Sequence, residues 1–83
     1  MITIYGKPGC GFCTKAKSFV ESRNFEYEYK DVQMNHYMIE LKEAMPDVRS
    51  VPQIWVQGQH VGGYNELIAY VEDTGYTGTG HSF

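Results

Sequence analysis

The 83 residues carry 42% hydrophobic and 14% aromatic side chains, two cysteines and a formal net charge of −3. This length allows one domain, the apolar share argues against disorder, and no run of about 18 apolar residues offers a membrane span. The acidic balance argues against a nucleic-acid binder, which is normally basic, and two cysteines are too few to staple a secreted scaffold.

Met1-Ile2-Thr3-Ile4-Tyr5 is rich in β-branched residues and reads as a strand. It lacks the basic start and long apolar stretch of a signal peptide, so a cytoplasmic protein is expected. Gly6-Lys7-Pro8-Gly9 is loop chemistry. From Cys10 to Arg23 the set Phe12, Ala16, Phe19 and Val20 lies on one helical face, with Asn24 as a stop. Phe25, Tyr27 and Tyr29 then alternate with charged residues in a half-exposed strand that ends near Val32.

Met34, Met38, Leu41 and Met45 repeat at helical spacing and predict a second helix closed by Pro46, its methionines filling the core. Ser50-Val51-Pro52 leads into a strand at residues 53–56. A turn at 57–60 and a short returning strand from Val61 complete a hairpin, which Gly62-Gly63 ends. Tyr64, Leu67, Ile68 and Val71 predict a third helix ending before Gly75. Residues 1–74 are therefore read as the domain and the Gly-rich segment 75–83 as a mobile tail. The order β-α-β-α-β-β-α implies an α/β fold, a mixed four-stranded sheet with three helices covering both faces.

Charge is unevenly spread. Lys7, Lys15, Lys17 and Arg23 against Glu21 give residues 1–23 a balance of +3, and the remainder, with nine acids and three bases, is −6. The cysteine pair thus lies in the positive part of the chain, which would draw an anionic thiol. Cys10-Gly11-Phe12-Cys13 also falls at a strand-to-helix junction. Positions i and i+3 are neighbours on a helix, so the two sulfurs can close a short disulfide ring. Cys10 at the helix start faces free amides of Phe12 and Cys13, which favour a thiolate, with Lys7 nearby; Cys13 lies one turn inside and is less exposed. Attack is assigned to Cys10 and resolution to Cys13. A zinc site would need two further ligands, and His36, His60 and His81 fit no finger spacing, so no metal is expected.

Pro52 enters a strand, where proline sits at an edge or first position. A cis Val51-Pro52 bond could turn the Val51 backbone toward an extended peptide thiol; a trans proline starting the strand is the alternative the residues alone favour. Gly62-Gly63 before a helix allows close approach of a ligand, and the helix start offers amides to a carboxylate, with Asn65 as a possible cap.

Taken together, Cys10-Gly11-Phe12-Cys13, Ser50-Val51-Pro52-Gln53-Ile54 and His60-Val61-Gly62-Gly63-Tyr64 resemble the three signatures of the glutaredoxin family, in order and over residues 1–74. The resemblance is closest to small dithiol members of bacteria and their phages. It implies a thioredoxin-like fold with Pro52 cis, and glutathione as co-substrate with no permanently bound cofactor. Lys7 resembles the basic residue that meets a glutathione carboxylate, and Phe12 stands where the family usually has Tyr. Val51 and Pro52 match the segment that pairs with the cysteinyl part. Gly63, Tyr64 and Asn65 match the helix start that holds the γ-glutamyl end. Ser50 replaces the usual Thr.

The implied activity is glutathione-dependent reduction of protein disulfides and glutathione mixed disulfides by a monomer, with ribonucleotide reductase as a protein partner. Gly11-Phe12 departs from the Pro usual in dithiol members and resembles the single-cysteine branch. It motivates one alternative, a dimeric iron–sulfur cluster carrier ligated by Cys10 and glutathione. A second alternative is an electron donor served by thioredoxin reductase.

Overall fold

The computed structural model describes residues 1–76. Its central strand is β1 (Ile2–Gly6), where Ile2 and Ile4 point to one face and Tyr5 to the other, the two-residue period of a pleated strand. In chain order there follow α1 (Gly11–Ser22), β2 (Tyr27–Asp31), α2 (Asn35–Ala44), β3 (Gln53–Val56), β4 (Gln59–Gly62) and α3 (Tyr64–Thr74). The sheet order is β2-β1-β3-β4. β1 pairs parallel with β2 and antiparallel with β3, and β3–β4 is an antiparallel hairpin. The sheet is mixed, as the element order predicts.

The larger core lies on the face shared by α1 and α3. Ala16 and Val20 from α1, and Leu67 and Val71 from α3, meet Ile2, Ile4, Ile54 and Val56 of the sheet. Each fully buried Val, Leu or Ile side chain there contributes about 1.5–3 kcal/mol relative to exposure. Phe25, read as the start of the second strand, instead precedes β2. Its N–H donates to the Val20 carbonyl at 3.0 Å, and its ring joins this core.

The opposite face is thinner. Tyr5, Val32 and Leu41 form its buried centre, with Met38, Met45, Val51 and Trp55 packed around them. A polar tether reinforces α2: the Glu40 carboxylate accepts from the Tyr5 hydroxyl and pairs with Lys30 Nζ at 2.5 Å. Hydrogen bonding to Lys30, then to Tyr5, holds the Glu40 carboxyl below the ordinary range. Of the methionine stripe, Met38 and Met45 pack as expected but Met34 does not. It is the residue before the first helical turn, 51% exposed, because the helix begins at Asn35 and its periodicity does not extend to the cap.

α3 ends at Gly75 in the left-handed conformation (φ 68°), a conformation glycine adopts without a Cβ penalty. Tyr76, within the segment read as a tail, packs its ring 5.2 Å from that of Phe25. Residues 77–83 lie outside the described residues.

Candidate active site

Cys10 is the N-cap of α1, in extended conformation (φ −94°, ψ 114°), delivered there by Gly9 at φ 78°. Its sulfur accepts from the Cys13 N–H at 3.2 Å. Of the two amides expected at the sulfur, only that of Cys13 hydrogen-bonds it; in cap geometry an N-cap side chain bonds one amide of the first turn. The Cys10 thiol donates in turn to the Val51 carbonyl at 3.6 Å. Cys10 is half-buried, while Cys13, one turn on, is 0% exposed; both are free thiols. Burial pushes the Cys13 thiol up to about 11, and its hydrogen bond to Cys10 adds to that. The inequality between the two sulfurs that the spacing implies is therefore present.

The Val51-Pro52 bond is cis. Val51 and Pro52 line a cleft of about 570 Å3 together with Phe12, Gly63, Tyr64 and Asn65. Six of the residues singled out in the sequence thus share one cavity, and Cys10 reaches its edge through Val51. Phe12 is 54% exposed, with its ring 6.1 Å from that of Tyr64 across the opening and Lys15 Nζ 5.3 Å above it. Lys7 does not line this cleft. It borders an adjacent one of about 190 Å3, with Lys42, Arg49, Ser50 and Val51, so the two cavities meet along Ser50-Val51.

The start of α3 differs from the expectation in one respect. Gly63, not Asn65, is the N-cap, and the Gly63 N–H donates to Glu66 Oε1 at 2.9 Å. Asn65 lies inside the first turn and so is past the position where an Asn side chain caps. Gly62 has φ 121° and a Cβ there would lie 2.9 Å from Glu66 Cγ, so glycine is needed on both counts.

Several site residues escaped the sequence reading. Glu66 puts a carboxylate into the cleft; a Glu three residues after the glycine pair, in a helix's first turn, was a legible capping signal. His60 and Gln53, contained in the signature segments but given no role there, also line the cleft, with His60 Nε2 2.9 Å from Gln53 Oε1, a cross-strand pair no local pattern marks. Tyr29 lies against Cys13 from β2, and the signal was Gly6, a glycine ending a strand where another group approaches closely.

The arrangement can do thiol chemistry: one reachable sulfur held by a helix-start amide, a second sealed beneath it, and a cleft with exposed backbone and both charge signs alongside. Among the described residues no group of three or more His, Cys, Asp or Glu is placed to hold a metal ion. No helix among them is long and apolar enough to cross a membrane.

Comparison with known proteins agrees with this reading. The glutaredoxin family model matches residues 2–61. The chain is 35% identical over 77 residues to glutaredoxin 1 of Escherichia coli (strain K12), covering 84% of this chain and 91% of that protein. The structure of reduced E. coli glutaredoxin superposes with a TM-score of 0.73 at 34% identity, over 88% of this chain and 94% of that one. A buckwheat glutaredoxin–glutathione complex matches in fold, with a TM-score of 0.71 at 20% identity over 87% of this chain and 68% of that one. The fold is thioredoxin-like, and the chain belongs to the glutaredoxin family of thiol-disulfide oxidoreductases.

Proposed function

We propose that this protein is a glutathione-dependent oxidoreductase that reduces glutathione mixed disulfides and protein disulfides through Cys10 and Cys13. The observation that carries the reading is the pair of cavities that meet along Ser50-Val51 beside Cys10, whose far ends suit the two ends of glutathione. The tripeptide has an ammonium and carboxylate at its γ-glutamyl end and a lone carboxylate at its glycine end. Glu66 and the start of α3 suit the first, and Lys7 with Arg49, across Ser50-Val51, suits the second. Val51 lies between them, where its backbone can pair with the cysteinyl unit. In the free protein its carbonyl accepts from the Cys10 thiol; once Cys10 ionises that donor is gone, and the carbonyl is open to a ligand N–H.

The steps follow thiol-disulfide exchange. Cys10 thiolate attacks the glutathione sulfur of a mixed disulfide, forming Cys10–S–S–glutathione and expelling the substrate thiolate, which takes up a proton. A second glutathione thiolate then attacks the glutathione sulfur, releasing glutathione disulfide and restoring Cys10. With a protein disulfide, Cys10 forms a mixed disulfide with the protein, and Cys13 resolves it by closing the internal disulfide, which two glutathiones reopen. Cys13 also closes on a glutathionylated Cys10, expelling glutathione. The buckwheat complex supports glutathione as a ligand of this fold. Family membership suggests ribonucleotide reductase as one protein substrate and action as a monomer in a reducing cytoplasm.

The test supplies hydroxyethyl disulfide with one recycling system at a time. Sustained NADPH oxidation with glutathione and glutathione reductase is expected. Turnover with thioredoxin reductase but none with glutathione would overturn the reading.

A further inference from the structure

We propose that Tyr29 serves the second sulfur: its phenol hydroxyl donates a hydrogen bond to Cys13 as that thiol ionises, allowing the sealed cysteine to close the internal disulfide. The inference rests on the dithiol route above, in which Cys13 expels glutathione from Cys10.

The geometry begins at Gly6, the last residue of β1. A Cβ there would overlap the Tyr29 hydroxyl and lie 2.9 Å from Tyr29 Cζ and 3.1 Å from the Cys13 Cβ. Gly6 has no positive φ, so its backbone does not call for glycine. What its missing side chain provides is room: the phenol crosses bare backbone to meet Cys13. Tyr27, two residues earlier in β2, gives its hydroxyl to Glu21 at the surface instead. Of the two, it is Tyr29 that turns inward beside Cys13.

Chemistry gives the contact a purpose. Cys13 is 0% exposed, so water cannot solvate a thiolate there, yet closure requires its ionisation. Burial drives the Cys13 thiol up to about 11, and the neighbouring Tyr29 phenol and Lys7 backbone act against that rise. Tyr29 itself is pushed up to about 12, by burial first and then by negative charge at Cys13 and Cys10. Negative charge at Cys13 thus holds the phenol proton in place as the sulfur ionises, so the phenol acts as a donor and not as a base. The other charged groups around it are Lys17, whose Nζ lies 5.3 Å from the ring centroid, with Glu21, Asp31 and Lys7 around the same surface cavity of about 420 Å3 that Tyr29 lines.

In the step served, Cys13 releases its proton to solvent and its sulfur attacks the Cys10 sulfur of the mixed disulfide. The Cys10–glutathione bond breaks, glutathione leaves with the electron pair and takes up a proton, and the Cys10–Cys13 bond forms. No external oxidant is needed.

The experiment is a single turnover: load Cys10 with glutathione at acid pH, jump the pH, and follow glutathione release in the unsubstituted chain and in Tyr29→Phe, which keeps the ring. Release is expected to slow about tenfold near neutrality, the size of one hydrogen bond to a charged sulfur. The rising limb of the rate–pH profile should move upward by about one unit. Gly6→Ala, which displaces the hydroxyl without removing it, should shift the limb in the same direction. Added to Cys13→Ser, Tyr29→Phe should leave single-cysteine deglutathionylation unchanged, which also reports that the fold is intact. An unaltered rate and profile would overturn the inference, as would slowing that persists by the same factor on the alkaline plateau, where Cys13 is fully ionised, the mark of a merely misplaced sulfur. Absence of release from the unsubstituted chain would instead remove the dithiol route, and this inference with it.

Discussion

The surroundings of Cys10 and of Cys13 differ far more than their three-residue separation suggests. Around Cys10 the chain offers backbone and edges: a helix-start amide, the Val51 carbonyl, and an exposed Phe12 ring beside an open cleft. Around Cys13 it offers closure: no exposure, a glycine floor and a tyrosine hydroxyl. One turn of α1 thus separates a sulfur reachable by substrate from one reachable only by its neighbour. The difference teaches that access within a C-x-x-C pair is set jointly, by the helix start and by the distant elements that close on it, Val51 at Cys10 and Gly6 with Tyr29 at Cys13.

Breaking the outer side should have the largest effect. Cys10→Ser is expected to reduce turnover of hydroxyethyl disulfide to background, because Cys13 is sealed from the substrate. Removing the inner sulfur should split the activity: Cys13→Ser loses catalytic reduction of protein disulfides in the insulin assay but keeps deglutathionylation of small substrates, which needs Cys10 alone.

Alkaline unfolding sharpens the same comparison. The folded Cys13 titrates near 11, above its ordinary value of 9.0, so between those values the unfolded chain has lost a proton that the folded chain retains. The unfolded state then binds fewer protons, and stability falls as pH rises. On the order of 2 kcal/mol should be lost across this window. Cys13→Ala should flatten that part of the curve in urea titrations relative to the unsubstituted protein.

Smaller effects belong to the cleft. Glu66→Gln should raise the apparent KM for a glutathionylated substrate about threefold, an effect that shrinks with added salt. Phe12→Ala should change stability by less than about 0.5 kcal/mol, since its ring is already largely in water.

How far this contrast was legible depended on the range of the contacts. α1 and α3 announce themselves by apolar spacing; the hairpin was legible but its turn, read at 57–60, is only Gln57-Gly58 at φ 52° and 82°, so β4 begins at Gln59 and not at Val61. Cys10 and Cys13 were readable because their relation is one helical turn. Met34 misled because periodicity does not say where a helix starts. Asn65 misled because Glu66 and Gly63 had already settled the cap. Tyr29, 16 residues from Cys13, could not be placed by spacing, because only the pairing of β1 with β2 sets it over Gly6. Lys7 was flagged for its charge, and its position in the neighbouring cavity depends on how the loop before α1 lies against Arg49 and Val51.

The most direct measurement is a brief pulse of sub-stoichiometric iodoacetamide on the reduced, folded protein, with the label located by fragmenting the peptide that holds both cysteines. Modification confined to Cys10 is predicted. Label on Cys13, or divided evenly between the two, would contradict the division of roles between an open sulfur and a sealed one.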